Sequence, residues 1–216
     1  KGPFDMSTNS ISFFLQIWPR IINRYFGVDT WRHLMYANYV RKHKCFPKEI
    51  NDRYVVTGPY GYPPVIIKIL SLFPKVFNEK YQFIFSPAFD FLHNYLIFVA
   101  ALLITKDLTI AIFAQIIATL TPLVVIEASN LNTRVISYLI FSLSFFSLIL
   151  FSVNHSIIWV VVAFIGLILL FYTHRFAIQS YLFCVIGLSI IERNFFYIGF
   201  FVFAFILSQN FVKSFK

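Results

Sequence analysis

The feature that most constrains this chain is a series of long apolar segments separated by connections of two to eight residues. The segments occupy about 83–105, 108–127, 134–153, 156–173, 176–191 and 195–211. Between them lie Lys106-Asp107, the stretch 127–134, Asn154-His155, His174-Arg175 and Glu192-Arg193-Asn194. A helix needs about 20 mostly apolar residues to cross a bilayer. Connections this short force consecutive helices to run antiparallel. The pattern predicts an all-α polytopic membrane protein whose chain zigzags through the bilayer.

Composition agrees. Of 216 residues, 59% are hydrophobic and 12% charged, with 29 phenylalanines and a mean hydropathy of +0.75. Soluble domains carry roughly 25% charged residues, so this chain lacks the polar surface that a soluble particle needs. Residues 11–26, interrupted by Pro19, Arg20 and Arg24, read as the end of a weaker first span or as an interfacial helix; the first is the expectation adopted. That makes about seven transmembrane helices. The organisation reads as an N-terminal segment with the weak first span (1–27), a large interfacial loop (28–82) and a helix bundle (83–216). Residues 1–5 precede Met6 and read as a cloning remnant, and the chain as a whole reads as a short member or a fragment of a larger membrane protein.

The first large loop is basic, and most lysines and arginines of this +9 chain fall between residues 20 and 80. Basic residues beside a membrane point to lipid head groups or phosphates. No nucleic-acid-binding motif is present. Trp31, Leu34, Met35 and Tyr39 follow Asp29 at helical spacing, with Arg32, Arg41, Lys42 and Lys44 available for the opposite side. This predicts an interfacial amphipathic helix stopped by Pro47. Residues 65–73, between Pro63-Pro64 and Pro74, form a short apolar stretch that lies shallow or re-enters. Cys45 and Cys184 are far apart and suggest neither a disulfide nor a metal pair.

The zigzag sorts the polar residues by membrane face. Asp29, Arg32, His33, Asp90, His93, Glu127, Asn130, Asn132, Arg134, His174, Arg175 and Gln179 fall toward the face that carries the large loop. Lys106, Asp107, His155, Glu192 and Arg193 fall toward the other. Ionisable groups at membrane depth are costly and therefore candidates for function. Asp90 and His93 share one helical face near the start of a long span, unless the helix begins only at Phe91. Asp29 reads either as a helix N-cap or as a carboxylate aimed into a surface cavity, where it serves as general base. His33 shares its helix face, but two ligands alone do not make a metal site. Arg134 and Arg175 read as interfacial anchors or as a phosphate clamp, and Glu127 as a partner for Arg134.

The segments GVDTWRHLMYANYVRKHKCFP and YGYPPVIIKILSLFP, followed by TP and NLNTR, resemble the GT-C superfamily of membrane glycosyltransferases. The resemblance covers the layout of about residues 11–190. Asp29 stands at the position of that superfamily's acidic residue in the first large loop, and Tyr62-Pro63-Pro64 at its proline segment. The resemblance implies a polyprenyl-phosphate-linked sugar donor, an unidentified acceptor and Asp29 as the catalytic acidic residue. It also implies arginines on the same face, Arg134 and Arg175, holding the lipid phosphate. His33, Arg32, Asp90, His93, Glu127 and His174 complete the expected substrate-binding set. A divalent metal is optional in that superfamily and none is assigned. No second acidic residue adjoins Asp29, so no paired-acid motif is implied.

The positive-inside rule places the basic loop in the cytoplasm, whereas the resemblance places it on the extracytoplasmic or lumenal side; the latter is the expectation adopted. Two rival classes remain. One is a non-catalytic membrane scaffold subunit. The other is a transporter whose pathway is lined by Asp90, His93, Glu127 and Arg134. A transporter calls for broken helices and repeats between halves, neither of which the sequence displays.

Overall fold

A computed structural model describes residues 4–23, 27–47 and 63–214. Ten helices account for nearly all of them, and no strand occurs among the described residues. They are α1 (Phe4–Ile22), α2 (Val28–His43), α3 (Pro64–Ser71), α4 (Lys75–Thr105) and α5 (Leu108–Leu120), followed by α6 (Pro122–Ala128), α7 (Thr133–Asn154), α8 (Ile157–Phe171), α9 (Arg175–Ile191) and α10 (Phe196–Ser214). The chain is all-α. Two helices, α4 and α7, are long and apolar enough to cross a membrane; α5, α8, α9 and the apolar part of α10 are shorter. The expectation of seven full-length spans is thus corrected to two by length.

The breaks between helices have local causes. Lys106 and His155 cap the ends of α4 and α7 in left-handed backbone conformations, with φ of 57° and 52°, and Arg193, two residues past the end of α9, has φ of 50°. Asp107 then caps α5, its carboxylate accepting from the backbone N–H of Thr109 at 2.7 Å and of Ile110 at 3.3 Å. Asn132 caps α7 in the same way, toward Arg134 and Val135. The segment read as one span over 108–127 is two helices, because Thr121 is extended and Pro122 starts α6 as a new helix. That break turns Glu127 and the loop after it back toward α2.

α4 begins eight residues before the apolar run, so Asp90 and His93 lie inside a long helix and not at its entrance. Its buried face is a polar stripe at four-residue spacing: Asn78, Gln82, Ser86, Asp90 and Asn94. α1 buries Ser12, Gln16 and Arg20, and α5 buries Gln115 and Thr119, at the same spacing. Large apolar side chains point outward instead, among them Phe113, Ile117, Phe183 and Ile190, each at least 60% exposed. Buried polar stripes beneath an apolar exterior reverse the pattern of water-soluble bundles.

The remaining helices pack around two apolar clusters. Ile136 and Leu148 of α7, Leu167 and Leu170 of α8, Tyr181 and Val185 of α9 and Phe200 of α10 form the larger. α7 and α8 approach closely, since a Cβ on Gly166 would stand 2.9 Å from the Cβ of Ser144. Ser144 there donates to the carbonyl of Ala163 at 2.7 Å and lies 2.8 Å from the Tyr181 hydroxyl. The smaller cluster joins Leu34, Ala37 and Val40 of α2 to Ile66, Ile67 and Leu70 of α3, with Leu131.

This second cluster corrects the reading of α2. Its buried face runs through Thr30, His33, Leu34, Ala37 and Val40, while Trp31, Met35 and Tyr39 are only half-buried. Small Thr30 and Ala37 let α2 seat on α3 and the 127–134 loop, so it packs against protein along this face. Arg41, expected on the polar side, donates to the carbonyls of Leu70 and Ser71 at 3.2 and 3.3 Å and so closes the end of α3. The helix stops at Lys44, in a left-handed conformation, three residues before Pro47. Tyr62 and Arg24 lie outside the described residues.

Candidate functional site

Gly27 is where the site begins. It caps α2 with φ of 92°, a conformation open to glycine. A Cβ there would fall 2.3 Å from the Asn130 side-chain oxygen. The glycine therefore lets the start of α2 meet the 127–134 loop. Thr30, one turn on, ties the two together: its hydroxyl accepts from the Leu131 backbone N–H at 3.3 Å and from the Arg20 guanidinium at 3.1 Å. Since Gly27 is the cap, the reading of Asp29 as N-cap is corrected. Asp29 sits in the first turn, where a negative charge suits the helix dipole, and its carboxylate pairs with Arg32 at 2.5 Å.

Around this junction opens a polar cavity of about 410 Å³. α2 supplies Asp29 and His33, and α6 supplies Glu127. Asn130, Asn132, Thr133 and Arg134 come from the following loop and the start of α7, and His174 from the α8–α9 turn. The volume lies in the range of small-molecule sites, roughly 300–1,000 Å³. Asp29 is the open carboxylate: its side chain is 56% exposed, and Oδ2 has no hydrogen-bond donor among the described residues.

Glu127 is arranged differently. Its Oε1 pairs with the Arg134 guanidinium, and its Oε2 accepts from the Asn132 side-chain amide at 2.7 Å. Both oxygens are engaged, so Glu127 orients Arg134 and leaves Asp29 as the carboxylate available for proton transfer. The Arg134 side chain remains half exposed toward the cavity.

Both histidines of the cavity stay neutral at pH 7. Burial pushes His33 down to about 4; nearby Asp29 works against this and Arg32 with it. Burial likewise lowers His174, helped by Arg134 and opposed by Glu127. The charges that remain are the two carboxylates and Arg134, with Arg32 behind Asp29.

A second groove of about 430 Å³ shares Arg134 and His174 with the cavity. It runs between α7 and α9 past Ser137, Tyr138, Phe141, Phe176, Ala177 and Ser180, and its walls are mostly apolar. A polar cavity and an apolar track thus adjoin at Arg134 and His174. A separate apolar groove between α3 and α8, lined by Val65, Ile69, Ile165 and Ile168, contains none of these polar groups.

Of the residues singled out in the sequence, Asp29, His33, Glu127, Arg134 and His174 line one cavity, with Asn130 and Asn132. Arg32 stands behind Asp29 and does not line it. Asp90 and His93 belong to the buried layer between α1, α4 and α7. Arg175 and Gln179 are exposed at the start of α9 and line neither cavity. The transporter residues are therefore split between two places. Gly27, Thr30 and Arg20 were not singled out, although a glycine directly before a helix start is a legible cue for close approach.

Among the described residues no three His, Cys, Asp or Glu side chains are grouped to hold a metal. Asp29 and His33 offer two donors, while Glu127 is fully engaged, so this donor set does not fit a metal site. No protein-family model, curated protein or solved structure matches the chain.

Proposed function

We propose that the chain is a multi-pass membrane glycosyltransferase that moves a sugar from a polyprenyl-phosphate-linked donor to an acceptor hydroxyl or amide, with Asp29 as catalytic base. The observation that carries this reading is the single cavity in which the open Asp29 carboxylate and the braced Arg134 guanidinium both stand. Asp29 takes the acceptor proton as the acceptor oxygen or nitrogen bonds to the anomeric carbon. The bond from that carbon to the phosphate oxygen breaks, and the electron pair leaves with the phosphate. Arg134 lies beside the developing charge, where a guanidinium fork suits phosphate oxygens. Neutral His33 and His174, with Asn130, offer the hydrogen bonds that position sugar hydroxyls.

The groove between α7 and α9 gives the prenyl chain a route into lipid, adjoining Arg134 where the phosphate is expected. Apolar outer surfaces and polar buried stripes support the membrane placement, with the shorter helices α5, α8, α9 and α10 crossing in partnership with α4 and α7. The face bearing the cavity is assigned to the extracytoplasmic or lumenal side.

The donor class is tested with the purified protein in liposomes. Labelled sugar should pass to an acceptor extract from polyprenyl-phosphate carriers and not from nucleotide-sugars alone. Turnover of a nucleotide-sugar in vesicles free of polyprenyl phosphate would sink this reading.

A further inference from the structure

The apolar groove between α3 and α8 serves no step of the proposed transfer. It encloses about 430 Å³. Ile165, Leu169 and Tyr172, at helical spacing on α8, form one wall, and Val65, Lys68 and Ile69 of α3 form the other. α3 turns this face to the groove because its opposite face, through Ile66, Ile67 and Leu70, is buried against α2. Ile165 and Leu169 stay 55% and 42% exposed, so the groove is open along its outer side.

The depth of the groove follows from where it begins. The Val65 backbone N–H donates to the Tyr172 carbonyl at 3.4 Å, and Tyr172 stands two residues before His174, which lines the polar cavity. The groove therefore starts at the face that carries the cavity and follows α8 inward to Ile165. That is about 10 Å at 1.5 Å per residue. One leaflet is about half of the roughly 30 Å hydrocarbon core. The groove thus matches an acyl chain of one leaflet rather than a polyprenyl chain.

Charge selects the head group. Lys68 is the single charged residue of α3, is exposed, and pairs with no carboxylate among the described residues. Arg41 holds the end of α3 through the carbonyls of Leu70 and Ser71, and Lys42 and Lys44 follow it at the basic end of α2. Residues 41–47 and 63–73 contain these four cations and no acidic residue. An ammonium on a flexible stem, held at head-group level, attracts anionic lipid.

We infer that this groove binds an anionic phospholipid, with one acyl chain between α3 and α8 and the phosphate beside Lys68. The inference rests on the membrane placement and not on sugar transfer, so lipid binding alone decides it.

Delipidated protein in detergent is titrated with dioleoyl-phosphatidylglycerol and, separately, with dioleoyl-phosphatidylcholine. Bound lipid is counted by native mass spectrometry. The wild-type protein should saturate at a single phosphatidylglycerol per chain, held about fivefold more tightly than phosphatidylcholine. Lys68→Gln keeps most of the side chain and removes the charge. It should lower phosphatidylglycerol affinity about fivefold and leave phosphatidylcholine unchanged. Ile165→Trp fills the groove from an exposed position and should abolish the saturable lipid. Unfolding midpoints equal to wild type show that both variants are folded. Equal affinity of the wild-type protein for the two lipids overturns the inference, as does undiminished phosphatidylglycerol binding by either folded variant. Polyprenyl phosphate that displaces phosphatidylglycerol at equal concentration also overturns it, and would give the groove to the donor lipid instead.

Discussion

Glu127 and Arg134 are paired across the start of α7, and the pair is braced because Asn132 occupies the other Glu127 oxygen. The same Asn132 uses its own oxygen to cap α7. One side chain thus fixes both the helix start and the carboxylate that aims Arg134. Replacing Glu127 by Gln keeps the shape but removes the charge. In the proposed reaction this should raise KM for the lipid-linked donor about tenfold, with a smaller change in kcat. Initial-rate kinetics over donor concentration check the split, and a loss confined to kcat would count against a positioning role.

His33 predicts a pH window for stability. In the unfolded chain it protonates near its ordinary value of 6.5, and in the folded protein only near 4. Between those values the unfolded chain binds more protons, so stability falls as pH drops from about 6.5 toward 4 and is fully present above that range. The gap corresponds to a loss of about 3 kcal/mol. Thermal unfolding across pH 4 to 7 should show a shallower slope for His33→Gln than for the wild type.

Gly27 and Gly166 predict two different failures. Gly27→Ala places a Cβ on the Asn130 oxygen and imposes a positive φ on alanine, so it should cost at least about 1 kcal/mol and disturb the cavity as well. Gly166→Ala wedges α8 away from the Ser144 backbone and should cost about 1–3 kcal/mol, with little effect on KM. Unfolding midpoints and transfer kinetics on the same preparations separate the two.

The helices from α7 onward were legible because each apolar run is bounded by a short polar pair, and their observed limits fall within a few residues of 134–153, 156–173 and 176–191. Two features escaped for physical reasons. The first is the start of α4: Asn78 and Gln82 look like loop residues when polarity is read as exposure, yet they begin a buried stripe that repeats every four residues. The second is the break at Pro122, hidden because apolar residues continue on both sides of it. The gathering of Asp29 with Glu127, Arg134 and His174 toward one end was readable from the zigzag. The choice among them was not, since it depends on which oxygens are already bonded: Asn132 occupies Glu127, and the position of Arg175 takes it away from the cavity.

The most direct measurement compares wild-type protein and Asp29→Asn in liposomes carrying labelled polyprenyl-phosphate-sugar. Asp29 is exposed, so the variant should keep its unfolding midpoint to within about 0.5 kcal/mol of stability. Transfer should fall by about 10²–10⁴-fold, the usual worth of a general base. A correctly folded Asp29→Asn that transfers sugar at the wild-type rate, or a wild-type protein that transfers none, would contradict the account and leave a structural membrane subunit as the better description.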